Sequence, residues 1–140
     1  MKLNLTYFNK FMNKHPYTIL LQGKINEETL NLWIKNHSES KVVLSIWEDE
    51  DLSSFDIPKK WKVVINHYPF IRFRPQANLD YQIITTLHGL QYVETNWVIK
   101  MRCDEYWSNL DKIFDKMKSN PDKIVSGSMF FRKWGMYPFH

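Results

Sequence analysis

What the chain lacks narrows its possibilities first. A single cysteine, Cys103, excludes an internal disulfide framework, and a Cys-based zinc site needs more thiols than this. Glycine is scarce, 4 in 140 residues, and no Gly-rich phosphate loop of either common type occurs. That argues against a P-loop nucleotidase and against a dinucleotide-binding dehydrogenase. His15, His37, His67, His88 and His140 show no HxxxH or HxxE spacing, so a zinc enzyme is not indicated. No GxSxG frames a serine nucleophile. No apolar stretch approaches the roughly 20 residues of a membrane span. The opening MKLNLTYFNKFMNKH breaks its apolar residues with Asn and Lys too often for a secretory signal. A cytoplasmic, reducing setting is the expectation. Repeats, low-complexity tracts and Gly/Ser linkers are also missing, so residues 1–140 read as one domain with 1–15 as an N-terminal extension.

Hydrophobic residues make up 44% of the chain and aromatics 16%, enough to build a core and too much for wholesale disorder. The net charge of +4 and pI near 9.1 raise the question of nucleic acid. Of 19 cations, however, only Arg72, Arg74, Arg102 and Arg132 are arginine, and the lysines are scattered. Groove-binding proteins concentrate both on one face. Only Lys59-Lys60-Trp61-Lys62 and Arg72-Phe73-Arg74 cluster at all. A solvated surface, with no nucleic-acid partner, is the expectation.

Two kinds of segment alternate along the chain. Tyr17-Thr-Ile-Leu-Leu-Gln22 is a continuous apolar run ended by Gly23, as in a strand buried on both faces. Asn26 can cap a helix with Glu27 and Glu28 in its first turn, where the helix dipole favours acids. Leu30, Trp33, Ile34 and His37 then share one helical face. Lys41 to Trp47 and Trp61 to Asn66 read as the second and third strands. After an aromatic, Arg- and Pro-containing linker from Tyr68 to Ala77, Asn78 or Asp80 opens a helix carrying Ile83, Ile84 and Leu87. Gly89 is placed as its C-terminal stop. Asn96 to Cys103 is a fourth strand. Ser108 and Asp111 have capping-box spacing before a helix through Leu110, Ile113, Phe114 and Met117, and Ile124 to Phe131 is a fifth strand. Strands alternating with helices predict an α/β fold: three layers, with a mainly parallel sheet between flanking helices.

In open parallel sheets, ligands bind at the carboxyl ends of the strands. Those ends carry Gln22-Gly23-Lys24; Ser45, Trp47 and Glu48; Asn66 and His67; and Arg102, Asp104 and Glu105. Cations, an aromatic plane and two groups of carboxylates on one edge suit a nucleoside diphosphate with a divalent metal. Mg²⁺ and Mn²⁺ take carboxylate oxygens together with substrate phosphates. Duller accounts exist for each. Gly23 can be a tight turn, Glu48 to Asp51 a solvated loop, Asp104 and Glu105 first-turn helix acids, and Trp47 a core residue. Cys103, at a strand end, reads as a buried small hydrophobe.

The ordered set resembles a family of glycosyltransferases with the GT-A fold, the WavE-type lipopolysaccharide-synthesis proteins and related viral sugar transferases. The similar stretches are Tyr17-Thr-Ile-Leu-Leu-Gln-Gly-Lys-Ile25, Ser45-Ile-Trp-Glu48, Asn78-Leu-Asp-Tyr-Gln-Ile-Ile-Thr-Thr-Leu-His-Gly-Leu90 and Trp97-Val-Ile-Lys-Met-Arg-Cys-Asp-Glu105. The stretches come in the family order, and the resemblance covers residues 17 to about 140. The resemblance implies the nucleotide-binding half of a GT-A-like fold, ending before the acceptor half. It implies a UDP-sugar donor, a glycan or other hydroxyl acceptor, and Mn²⁺ or Mg²⁺. Gln22, Gly23, Lys24, Ser45, Trp47, Glu48, Gln82 and Arg102 would line the nucleotide, and Asp104 and Glu105 would hold the metal. A truncated, non-catalytic nucleotide-binding or protein-interaction module is the alternative.

Overall fold

A computed structural model describes residues 16–69 and 77–125. Two compact units divide between Ser108 and Asn109. The first contains a four-stranded sheet of β1 (Thr18–Gln22), β2 (Val42–Trp47), β3 (Lys62–Asn66) and β4 (Val98–Arg102), with helices α1 (Glu27–His37) and α2 (Ala77–Leu90). The strands lie in the order β3-β2-β1-β4, and every pair is parallel. The α/β expectation therefore stands. Among the described residues, no helix is long and apolar enough to cross a membrane.

Topology follows from the handedness of the crossovers. The step from β1 through α1 to β2 moves one way across the sheet, and the step from β3 through α2 to β4 moves back past β1. Right-handed crossovers in opposite directions place their helices on opposite faces. The central strands accordingly bury every residue, TILLQ in β1 and VVLSIW in β2, as continuous apolar runs covered on both sides do. The edge strands alternate instead, with Lys62 and Ile65 of β3 and Lys100 and Arg102 of β4 exposed.

α1 forms as its sequence dictates. Asn26 is extended, and its side chain accepts from the Thr29 N–H at 3.0 Å, while Leu30 and Trp33 are fully buried. Its C-terminal end is closed by the His37 carbonyl, which accepts from the Trp61 indole at 3.1 Å and from the Ser40 amide at 2.9 Å. These bonds satisfy one of the carbonyls that a helix end leaves without an intrahelical partner.

α2 differs from expectation. Ile83 is 45% exposed and Leu87 56%, and the face turned to the sheet carries Thr85 and Gly89, both buried, with Ile84 half-buried. Gly89 lies inside the helix, which runs on to Leu90. A Cβ there would stand 2.4 Å from Leu20 Cδ1 and 3.1 Å from Ser45 Cβ. Gly89 is a packing residue rather than a stop: the helix backbone approaches β1 and β2 closely because nothing projects there. The polar Thr85 meets polar groups on the sheet, so the apolar stripe is not the inward one.

In the second unit, α3 (Leu110–Lys118) buries Leu110 and Phe114. Its N-cap is Asn109 rather than Ser108, and that side chain makes no capping bond. The Asn109 carbonyl instead accepts from the amides of Lys112 and Ile113. Most of the expected linker from Tyr68 to Ala77, and of the expected fifth strand from Ile124 to Phe131, lies outside the described residues.

Gly89→Ala tests the close approach. Helix propensity alone would stabilise by about 1 kcal/mol, whereas overpacking costs about 1–3 kcal/mol. With the Ser45 Cβ unable to yield, a net loss of up to about 2 kcal/mol is expected in urea denaturation. A gain in stability would show that the helix sits farther from the sheet.

Candidate functional site

Strand order reverses beside β1, so the crevice between the carboxyl ends of β1 and β4 is the topological switch point of this sheet. The register puts Ser45, Gln22 and Arg102 on one rung across β2, β1 and β4. The ladder continues past the strands, with the Gly23 amide donating to the Ser45 carbonyl and the Cys103 amide to the Gln22 carbonyl, both at 3.0 Å. Three of the predicted segments therefore converge through backbone hydrogen bonds.

Gly23 sits in this crevice with φ of 94°, and a Cβ built on it would meet no atom within 4 Å. The left-handed backbone requires glycine for conformational reasons, and the space above it is open. Lys24 follows it and is exposed.

Arg102 ends β4 and Asp104 lies just past it. The guanidinium grips the carboxylate at two points, Nε to Oδ1 at 2.8 Å and a terminal nitrogen to Oδ2. Its Nε is also 3.7 Å from Glu105 Oε1. The Arg102 hydrogen bonds hold the Asp104 carboxyl below its usual range and raise the guanidinium in turn. The turn carrying the acids is anchored from below, since the Glu105 carbonyl accepts from the buried Trp33 indole at 2.8 Å and the Glu105 amide bonds the Arg102 carbonyl. Cys103 between them is fully buried, and burial pushes its thiol up, out of reactive range.

Gln22 and Ser45 are placed differently from the groups around Gly23. Both are buried, and their side chains meet α2. Thr85 Oγ1 donates to Gln22 Oε1, and Ser45 Oγ donates to the Thr85 carbonyl at 2.7 Å. Asn66 Nδ2 donates to Ser45 Oγ at 3.0 Å and to the Ile46 carbonyl at 2.7 Å. With its amide nitrogen committed, Asn66 presents Oδ1 to His88 Nδ1 at 2.7 Å. His88 must therefore donate, which assigns its proton to Nδ1. What Gln22 and Ser45 offer the crevice is backbone.

Trp47 is 5% exposed and lies face to face with Tyr68 at 4.5 Å, with Tyr81 edge-on at 5.2 Å. The accessible ring of this cluster is Tyr68, 42% exposed. Sequence reasoning missed it, although it lies only two residues past the end of β3. The Tyr68 hydroxyl donates to Asp49 at 2.8 Å, and desolvation together with that bond pushes its pKa up to about 12. Glu48 accepts from His67 Nδ1 at 2.5 Å and from the Tyr68 amide at 3.3 Å, bonds that hold its carboxyl below the usual range. Glu50 accepts from the Ile25 amide at 3.2 Å, tying the second strand end to the loop after Gly23. The acidic run is thus partly structural. Gln82 is exposed on the outer side of α2, where it lines a groove of about 270 Å³ with Leu79, Ile83, Thr86, Leu87 and Lys100.

Among the described residues, no group of three or more His, Cys, Asp or Glu is placed to hold a metal. Asp104 and Glu105 supply two carboxylates, the donor type that Mg²⁺ and Mn²⁺ take when phosphates complete the shell. The donor chemistry fits, on the condition that Arg102 releases Asp104.

The family model described as WavE lipopolysaccharide synthesis matches residues 21–132, from the end of β1 past α3. The chain belongs to the WavE family. Membership brings a role in lipopolysaccharide synthesis and sugar-related substrates. No curated protein and no solved structure matches the chain significantly. In this WavE chain the matched span includes all the converging strand ends after β1.

Two outcomes check the site. His67→Ala should return the Glu48 carboxyl toward its ordinary pKa, read from carboxyl-carbon NMR titration. Because the folded-state value is depressed, the contact stabilises above the unfolded pKa and is lost as pH falls through the folded one. An unmoved Glu48 would show that His67 is not its partner. Trp33→Phe removes the donor to the Glu105 carbonyl and should cost about 1–3 kcal/mol, measured by urea denaturation. No loss would mean that the turn holds itself.

Proposed function

We propose that the chain binds a nucleoside-diphosphate sugar, a UDP-sugar, at the crevice between β1 and β4, for transfer of the sugar to a hydroxyl of a glycan or similar acceptor. The observation that carries this reading is the open space over Gly23, at the switch point of a parallel sheet, beside Arg102 and the Asp104–Glu105 pair. Family membership in lipopolysaccharide synthesis supports the sugar.

In this reading the Gly23 backbone and Lys24 approach the nucleotide, and Glu48 meets the ribose or base. Gln22 and Ser45 act from beneath, fixing the strand ends through α2, and Trp47 acts through Tyr68, the ring left accessible for a base. Gln82 stands on the outer face of the same helix. Arg102 takes phosphate charge, for which its planar fork is suited. Asp104 and Glu105 are the residues that would hold Mg²⁺ or Mn²⁺. Such an ion supplies Lewis-acid stabilisation of the departing diphosphate.

The test is thermal unfolding against a panel of nucleotides and nucleotide sugars, with and without Mn²⁺. A ligand at 100 times its Kd should add roughly 2.7 kcal/mol, read as several degrees. UDP or a UDP-sugar should raise Tm more than other nucleotides. Asp104→Asn should keep the metal-free Tm within about 1 kcal/mol of stability and abolish the additional shift from Mn²⁺. A flat response to every nucleotide at millimolar concentration would remove the donor site, and an unchanged Mn²⁺ effect in Asp104→Asn would remove the metal assignment.

A further inference from the structure

The two-point grip of Arg102 on Asp104 has a consequence for how metal and nucleotide would enter, and it rests on the reading above. We propose that Arg102 is an exchangeable counter-cation. It occupies Asp104 in the metal-free protein, is displaced when a divalent cation takes that carboxylate, and is thereby delivered to the diphosphate.

The geometry sets the two occupancies against each other. Both oxygens of Asp104 are engaged by one guanidinium, so a metal ion would have to share a carboxylate that already carries a cation. A divalent ion on Asp104 would also face the guanidinium at contact distance, where like charges repel strongly. One of the partners must move, and the structure distinguishes them. Asp104 and Glu105 stand on a turn fixed by the Cys103 amide on the Gln22 carbonyl, the Glu105 amide on the Arg102 carbonyl and the Trp33 indole on the Glu105 carbonyl. The Arg102 side chain is 53% exposed and long. The backbone that carries the acids is fixed, and in the proposed exchange the longer guanidinium swings. On its own rung it neighbours Gln22, one residue from the open space over Gly23. A guanidinium freed there can bond phosphate oxygens bidentately.

The exchange couples the two ligands. Metal alone must expel Arg102 into solvent. Metal with a nucleoside diphosphate gives the displaced guanidinium a new partner, so each ligand strengthens the other, and by linkage equally in both directions. Removing the guanidinium should do two opposite things: strengthen Mn²⁺ binding without nucleotide, and weaken the coupling.

The experiment is titration of free Mn²⁺ by electron paramagnetic resonance on the full chain, without nucleotide and with saturating UDP. The proteins are wild type, Arg102→Gln and Arg102→Lys, each checked for native circular dichroism. In Arg102→Gln, Mn²⁺ alone should bind roughly fivefold or more tightly than in wild type, and the enhancement by UDP should fall by a similar factor. Arg102→Lys, which keeps the charge without the fork, should lie between and serves alone if Arg102→Gln does not fold. Equal or weaker Mn²⁺ binding in both variants, with UDP enhancement intact, overturns the exchange while leaving the donor site standing. No Mn²⁺ binding in wild type, even with UDP, overturns the metal reading and the exchange together.

Discussion

The Ser45 hydroxyl sits where three elements must agree. It donates to the Thr85 carbonyl in the middle of α2 and accepts from Asn66 at the end of β3, on the same rung as Gln22 of β1. All of these groups are buried, and a buried polar group without a partner costs about 1–3 kcal/mol. The helix therefore cannot slide or rotate on the sheet without stranding several of them together. Gly89 sets the distance at which this network closes, by admitting the α2 backbone onto Leu20 and Ser45. Burial, register and strand-end geometry on that face all depend on the same contact.

That constraint explains an otherwise odd distribution of polarity. The helix turns Thr85 and Gly89 to the sheet and leaves Ile83 and Leu87 exposed. Apolar burial is non-directional and can be met by many helix rotations, whereas hydrogen bonds between buried groups are met by one. On the opposite face, Leu30 and Trp33 of α1 are fully buried, and the Trp33 indole reaches the turn after β4 with its single polar atom. Core packing and site placement are joined there in one side chain.

The edge of the sheet divides the same way. Around β2 and β3, charged and aromatic groups are largely bound to one another, as Glu48 is to His67 and Trp47 to Tyr68 and Tyr81. Around β1 and β4, the backbone of Gly23 faces open space beside a half-exposed Arg102. Reversal of strand order creates that opening, because no helix crosses over from β1 directly to β4.

By itself the chain determined the local elements. The unbroken runs of β1 and β2, the Asn26 cap, the Leu30 and Trp33 stripe, and the convergence of Gly23, Arg102 and Asp104 on strand ends were all legible, since period and capping act within a few residues. So was the family resemblance, carried by short segments in order. Other features were not legible. The inward face of α2, the packing role of Gly89, the burial of Gln22 and Ser45, and the substitution of Tyr68 for Trp47 as the accessible ring all depend on partners 21 to 69 residues away. A polar residue at a strand end looks the same in sequence whether it faces a ligand or a helix. Only the tertiary structure decided between them, by supplying Thr85 and Asn66 as partners for groups that could not be buried alone.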